Sequence, residues 1–202
     1  DKDLIGFVGA PWTILVYMIN KMSPKKGIPE DFFNDLSLLN NLLAVIEKFI
    51  KLHIKNQINA GANIIQIFDS WAGLLEHKIP EYIYKPTFSI VEYVKKLGVP
   101  VICFPRGIKN YKEYCDVVKP DMINIDYEVD PNAIIKNIKI PVQGGLDPKF
   151  LLTNKDSLKK EVEKYLTIFK DHPYSFNLGH GILPETKIDL VKELIDIVRN
   201  YK

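Results

Sequence analysis

The stretch QIFDSWAGLL, residues 66–75, begins as a short apolar run and then places Asp69, Ser70, Trp71 and Gly73 close together. Short apolar runs that end in polar residues or glycine are typical of buried strands. In folds of parallel strands and covering helices, functional side chains lie at the carboxyl ends of the strands. The stretch therefore predicts a buried strand that presents a polar cluster at its end.

Strand-like runs of this kind recur along the chain and alternate with helical patterns. The six runs are LIGFVGAPW, NIIQIFDS, VPVICFPRG, DMINIDYE, IPVQGGLDP and YSFNLGHGI. Most of them are continuously apolar, which is typical of parallel strands covered on both faces. Helices are predicted over residues 35–62, 81–98 and 185–200, and a lysine-bearing loop is predicted over residues 20–35. The first helix carries apolar residues at spacings of three and four and is closed by Gly61: Leu38, Leu42, Leu43, Ile46, Phe49, Ile50, Ile54 and Ile58.

The alternation of strands and helices predicts an α/β fold with a parallel sheet. An open doubly wound sheet often carries a Gly-x-Gly-x-x-Gly turn, which this sequence lacks. We therefore prefer a (β/α)8 TIM barrel that is truncated and lacks about its first two βα units. Residues 1–202 are predicted to form a single domain, and the entry into a strand within three residues predicts polypeptide upstream of Asp1.

Composition argues against several classes of function. The net charge of +2 in 202 residues argues against nucleic acid as a partner, and the chain shows neither an apolar run long enough for a membrane span nor a signal peptide. Cys103 and Cys115 share no ligand spacing with the histidines, so no metal site is predicted. Ser70 lacks the Gly-x-Ser-x-Gly context of a hydrolase nucleophile.

Polar side chains follow each predicted strand: Trp12, Tyr17, Asp69, Ser70, Trp71, Arg106, Asp126, Tyr127, Gln143, Asp147, Asn177 and His180. Structural roles compete with functional ones, because short carboxylates and serine commonly cap helices or fix turns, and Tyr17 lies in an apolar segment. His180 lies between two glycines that allow a ligand close to the backbone. A helix expected directly after His180 would favour an anion near Gly179 and Gly181, and a plain tight turn is the alternative.

Four stretches resemble the uroporphyrinogen decarboxylase family in order and spacing: GFVGAPWTILVYM, QINAGANIIQIFDSWAGLL, PVQGGLDP and NLGHGILPET. The resemblance covers essentially the whole chain and corresponds to roughly the C-terminal three-fifths of the family's barrel. It implies a carboxy-lyase without metal or organic cofactor, usually a homodimer. Such an enzyme removes four acetate carboxyls from uroporphyrinogen III, giving coproporphyrinogen III and CO2 in haem and porphyrin biosynthesis.

The resemblance implies substrate-binding roles for Tyr17, Ser70 and His180, which match the family's substrate-contacting tyrosine, serine and histidine. It places the family's arginine-rich segment and essential aspartate upstream of Asp1, so no catalytic residue is predicted within the chain. Arg106 and Arg199 are its only arginines, which is few for a substrate rich in carboxylates. We therefore expect this chain alone to be inactive or nearly so.

The sequence departs from the family pattern in the loop after YMI and at Gly145, where the family usually has asparagine. Two alternatives stay open: a non-catalytic barrel descendant that binds a tetrapyrrole or a partner, and a corrinoid-dependent methyltransferase. The second alternative would need a His-x-Cys pair of zinc ligands, and the sequence has no such pair at Cys103. The expected location is cytoplasmic or plastid, and the expected partners are a tetrapyrrole substrate and a second copy of the chain, without nucleic acid or membrane.

Overall fold

The computed structural model describes residues 2–24, 27–28 and 33–201. These residues form two compact units, one extending to Asp121 and the other beginning at Met122. The loop predicted over residues 20–35 lies partly outside the described residues. The single domain predicted over residues 1–202 stays a prediction.

The first unit alternates strands and helices. Its elements are β1 (Ile5–Gly9), α1 (Pro11–Asn20), α2 (Leu36–Asn59), β2 (Ile64–Asp69), a 3-10 turn (Ala72–Leu74), a π-helical turn (Pro80–Tyr84), α3 (Lys85–Lys96), β3 (Val101–Pro105) and α4 (Tyr111–Val118). The three strands pair in parallel in the order β1-β2-β3, with Ile67 opposite Val8 and Cys103. Every residue of β3 is buried, as expected of a continuously apolar parallel strand covered on both faces.

Helix α2 confirms the predicted helix but only part of its predicted apolar stripe. Its buried face consists of Leu39, Leu43, Ile46, Ile50 and Ile54. Leu38 and Phe49 were predicted to share that face, and this prediction is wrong, because both are more than half exposed. Each precedes a buried residue by one position, a rotation of about 100° around a helix, which turns the side chain toward the flank.

The second unit repeats the alternation over a shorter chain. Its elements are β4 (Met122–Ile125), α5 (Pro131–Asn137), β5 (Val142–Gly144), a 3-10 turn (Pro148–Leu152), α6 (Lys155–Ile168), β6 (Tyr174–Ser175) and α7 (Ile188–Asn200). The strands pair in parallel in the order β4-β5-β6, with Gln143 opposite Asn124 and Ser175. All six predicted strands are thus confirmed, although the last two span three and two residues.

Candidate functional site

The carboxyl end of β2 carries a buried carboxyl group. Asp69 is 1% exposed, and its Oδ1 accepts a 2.6 Å hydrogen bond from the hydroxyl of Thr13 on α1. Among the described residues, Asp69 Oδ2 has no hydrogen-bond partner. Burial raises the pKa of the Asp69 carboxyl to about 7, and the Thr13 hydrogen bond partly opposes that rise. The sequence allows Asp69 a structural role as a helix cap or a turn residue, and in the structure its side chain bonds to Thr13 on a different helix, α1.

The peptide of Trp71 is held from both sides by side chains of α1. Its N–H donates to Thr13 Oγ1 over 3.2 Å, and its carbonyl accepts from Trp12 Nε1 over 3.0 Å. Trp12 is fully buried, so its place after β1 reflects this structural role. Thr13 was not singled out from the sequence. The only signal for it was its position beside Trp12, and its partners lie 56 and 58 residues further along the chain.

Two of the predicted substrate-binding residues lie beside this peptide. Tyr17, on the next turn of α1 but 41% exposed, packs its ring edge-on against Trp71 at a centroid distance of 5.9 Å. Ser70 is half-buried between Asp69 and Trp71. The first unit therefore places the Tyr17 ring against the residue that directly follows Ser70.

Arg106 follows β3 and is tied to the same loop through its backbone. Its N–H donates to the Asp69 carbonyl over 3.1 Å, and its carbonyl accepts from the Gly73 N–H over 2.9 Å. Gly73 and Gly107 pack backbone to backbone, since a Cβ at Gly73 would lie 2.7 Å from the α-carbon of Gly107. Hydroxyl groups and a guanidinium carried on one loop system suit the binding of carboxylates.

His180, the third predicted substrate-binding residue, belongs to the second unit. It is exposed, and it follows the buried Gly179, whose N–H donates to the Leu146 carbonyl over 2.7 Å. A Cβ at Gly179 would lie 2.8 Å from the carbonyl carbon of Asp126, whereas a Cβ at Gly181 would meet nothing within 4 Å. One flanking glycine thus anchors the loop, and the other leaves open space beside the imidazole.

The helix expected directly after His180 begins later than predicted. Helix α7 starts at Ile188, because residues 183–186 form a turn in which the Thr186 N–H donates to the Leu183 carbonyl, and Lys187 is extended. The helix predicted over residues 185–200 is confirmed with its start three residues later, at Ile188, and the expectation that it begins just after His180 is wrong. A dipole effect falls off within one turn of a helix, so α7 gives no support for an anion near Gly179 and Gly181.

Two other carboxylates at strand ends have structural roles in turns and caps. Asp126 Oδ1 accepts the Glu128 N–H, and Asp147 Oδ1 accepts the Lys149 N–H at the start of a 3-10 turn, each over 2.9 Å. Gln143, also considered at a strand end, lies opposite Asn124, which the sequence did not single out. Within the described part of the chain, Gln143 Oε1 and Asn124 Oδ1 are buried acceptors without partners.

Other features of the described residues are weaker candidates for a functional site. An apolar groove of about 500 Å³ runs along β1 and α2, lined among others by Phe7, Met18, Val45 and Phe49, and it offers little to a carboxylate. The described residues hold no group of three His, Cys, Asp or Glu side chains arranged to bind a metal ion. Nor does any helix described here have the length and apolar character needed to cross a bilayer.

Comparison with known sequences gives a consistent family. The profile of Uroporphyrinogen decarboxylase (URO-D) matches residues 1–201. A uroporphyrinogen decarboxylase from Wolbachia pipientis is 38% identical over 205 residues, covering 100% of this chain and 60% of the relative. Another from Rickettsia bellii is 39% identical over 209 residues, covering 100% and 62%. The chain thus spans about three-fifths of the length of these relatives.

Comparison with solved structures concerns the fold. A methyltransferase from Methanosarcina mazei superposes with a TM-score of 0.76 at 17% identity, covering 100% of this chain and 59% of that one. A B12-independent methionine synthase from Shewanella superposes with a TM-score of 0.61 at 13% identity, covering 98% and 60%. Together with the parallel strands, these likenesses confirm the predicted α/β fold of the (β/α)8 barrel class. At these identities they carry nothing about activity.

Proposed function

The chain belongs to the uroporphyrinogen decarboxylase family, and from this premise we propose that it serves in the decarboxylation of uroporphyrinogen to coproporphyrinogen. In that reaction each acetate side chain loses CO2, and a proton takes the place of the carboxyl group to leave a methyl. The observation that carries the proposal is the loop after β2 in the first unit: Ser70 directly precedes Trp71, the Tyr17 ring packs against Trp71, and the Arg106 backbone is bonded to Asp69 and Gly73.

In this proposal the described residues bind substrate. The hydroxyls of Tyr17 and Ser70 donate to carboxylates, and His180 meets a further carboxylate on its open loop. No described residue is assigned the proton transfer or the stabilisation of the cationic pyrrole ring. The chain by itself is therefore expected to bind a polycarboxylate tetrapyrrole but to turn it over slowly or not at all.

Uroporphyrin, the stable oxidised form of the substrate ring, tests the binding role. We expect the chain to bind it more tightly than coproporphyrin, which has four fewer carboxylates. Tyr17→Phe, Ser70→Ala and His180→Gln should each weaken binding by about ten- to a hundredfold, since a hydrogen bond to a charged group contributes about 1.5–3 kcal/mol. Tyr201→Phe, which alters a hydroxyl on the far end of the sequence, is the matched control. Equal affinity of all variants for uroporphyrin would contradict the proposal.

Turnover distinguishes the alternatives. Incubation with uroporphyrinogen under anaerobic conditions, followed by chromatography of the oxidised products, reports any loss of carboxyls. Binding without turnover agrees with the role assigned here, whereas decarboxylation at the rate of a full-length relative would show that these residues also drive the chemistry. The structural likeness to methyltransferases reflects the shared fold, and no observation on the described residues favours methyl transfer.

Assembly and location are part of the same proposal. We infer a homodimer from the family resemblance, and sedimentation of the purified chain at several concentrations measures it. The relatives from Wolbachia pipientis and Rickettsia bellii are bacterial proteins, which favours a cytoplasmic location over a plastid one.

A further inference from the structure

Hydrogen bonds that involve Asp69 hold the backbone on both sides of Ser70, at Asp69 itself and at Trp71. On one side the Asp69 carbonyl accepts the Arg106 N–H. On the other the Asp69 carboxyl accepts the Thr13 hydroxyl, whose oxygen in turn accepts the Trp71 N–H. The Ser70 hydroxyl itself has no hydrogen-bond partner among the described residues. Ser70 is thus free to bind a ligand while its two neighbours are held in place.

The carboxyl of Asp69 is unusual because only one of its two buried oxygens has a hydrogen-bond partner among the described residues. Oδ1 is bonded to Thr13, but Oδ2 is buried without a partner in the described part of the chain. A buried ionised carboxylate with an unpaired oxygen is costly, whereas a neutral carboxyl loses less. A residue needed only for packing would not require this arrangement, since an apolar side chain of similar size avoids the cost.

We propose that Asp69 is a positioning residue of the binding site: through the Thr13 hydroxyl it fixes the Trp71 peptide, and thereby the Ser70 and Tyr17 hydroxyls that meet a substrate carboxylate. Tyr17 is included because its ring lies edge-on against Trp71. The identity of the bound group rests on the proposed function, whereas the link from Asp69 to Trp71 stands on the hydrogen bonds alone.

The ionisation state of Asp69 should also affect the binding of a substrate carboxylate at Ser70. An ionised Asp69 lies one residue from Ser70 and repels a bound carboxylate, so binding favours the protonated form. The groups that interact electrostatically with Asp69 are Cys103 on β3 and Tyr114 on α4. Burial raises the pKa of Cys103 to about 12 and that of Tyr114 well above its usual value, so both stay neutral near pH 7. Arg106 contributes a positive charge from the loop after β3, and α1 contributes the uncharged Thr13.

Selective labelling of tryptophan with 15N gives a direct readout, because Trp12 and Trp71 are the only tryptophans in the sequence. We expect the Trp71 amide signal to shift with a midpoint near pH 7 in the wild type. In Asp69→Asn this step should vanish, and in Thr13→Val the Trp71 amide should exchange with solvent about tenfold faster, the effect of one lost hydrogen bond. Thr13→Ser keeps the hydroxyl and should restore slow exchange.

Controls separate positioning from general loss of structure. Thr167→Val removes an exposed hydroxyl that donates to the Glu163 carbonyl, and it should leave all Trp71 signals unchanged. The dispersion of the Trp12 signals reports whether each variant is folded. If Thr13→Val fails to fold, Asp69→Asn decides the matter, since it preserves the shape of the side chain. A Trp71 step near pH 7 that persists in Asp69→Asn would overturn the proposal.

The pH dependence of uroporphyrin binding then tests whether the ionisation of Asp69 affects the affinity for the ligand. Wild-type affinity should fall several-fold more than that of Asp69→Asn as pH rises from 6 to 8, because only the wild type acquires the buried charge. Parallel pH profiles of the two proteins would overturn the coupling. If neither protein binds uroporphyrin at any pH, the proposed function fails, and the Trp71 signals still decide whether Asp69 positions the peptide.

Discussion

Gly73 and Gly107 pack so closely that a Cβ at Gly73 would lie 2.7 Å from both the α-carbon and the carbonyl oxygen of Gly107. The same approach brings the Gly73 N–H within 2.9 Å of the Arg106 carbonyl. Because the opposing atoms are backbone, a side chain at this position cannot be accommodated by a rotamer change. The loops after β2 and β3 are therefore joined at a point that only glycine allows.

Gly73→Ala is expected to destabilise the chain by about 1–3 kcal/mol, the usual range for overpacking of a well-packed site. The substitution pushes the loop carrying Ser70 away from the loop carrying Arg106, so uroporphyrin binding should weaken as well. Urea unfolding and a binding titration measure the two effects. A variant as stable as the wild type, with unchanged affinity, would show that the loops separate at little cost.

The glycines on either side of His180 should respond in opposite ways to the same substitution. Gly179→Ala places a methyl against the Asp126–Tyr127 peptide, so we expect a loss of about 1–3 kcal/mol and weaker uroporphyrin binding. Gly181→Ala adds its methyl to open space and should change stability by less than about 0.5 kcal/mol. Urea unfolding of the two variants provides the comparison. Similar losses in both would contradict the distinct roles assigned to them.

The sequence predicts the strands well because each buried strand is a local apolar run that ends in a recognisable residue, such as Asp69 or Arg106. It predicts which residues reach the strand ends for the same reason. It does not predict Thr13, because a threonine inside an apolar helix has no periodic signal, and its partner Asp69 is distant in sequence. Contacts between side chains on different elements are fixed by packing, which a local pattern does not contain.

Two errors have specific physical causes. The start of α7 was expected directly after His180, but a hydrogen-bonded turn at Leu183–Thr186 delays the helix to Ile188. The predicted stripe on α2 is too wide, because spacings of three and four are also satisfied by residues on the flank, such as Phe49. An apolar residue on a helix flank resembles a core residue in sequence until the neighbouring elements are placed.

Gly145 stands where the family usually has asparagine, and its surroundings predict the effect of restoring that residue. Its φ is +104°, and a Cβ there would lie 2.6 Å from the Tyr165 ring, whose hydroxyl donates to the Gly145 carbonyl over 2.7 Å. Gly145→Asn should therefore destabilise the chain by about 2–4 kcal/mol, combining backbone strain with overpacking. Gly61→Asn is the matched control, since Gly61 has a φ of +106° and open space around it. Equal losses would assign the whole cost to the backbone and none to Tyr165.

The raised pKa of Asp69 predicts a distinctive pH dependence of stability. The unfolded carboxyl releases its proton near pH 3.8, whereas the folded one holds it up to about pH 7, so between these values the native state binds more protons. The contribution of Asp69 to the free energy of unfolding must then fall as pH rises through this window, and it stays constant at higher pH. Each pH unit contributes about 1.4 kcal/mol, so the loss is on the order of 4 kcal/mol.

Asp69→Asn isolates this contribution, because its amide carries no charge at any of these pH values. Relative to the variant, the wild type should lose stability between about pH 4 and pH 7 and show a constant difference above pH 7. Urea unfolding of both proteins at pH 5, 6, 7 and 8 gives the difference curve, from which all other titrating groups cancel. A flat curve would mean that Asp69 is ionised throughout, with water or a cation satisfying its second oxygen. A falling curve would place the proton on Asp69 in the range where a substrate carboxylate has to approach Ser70.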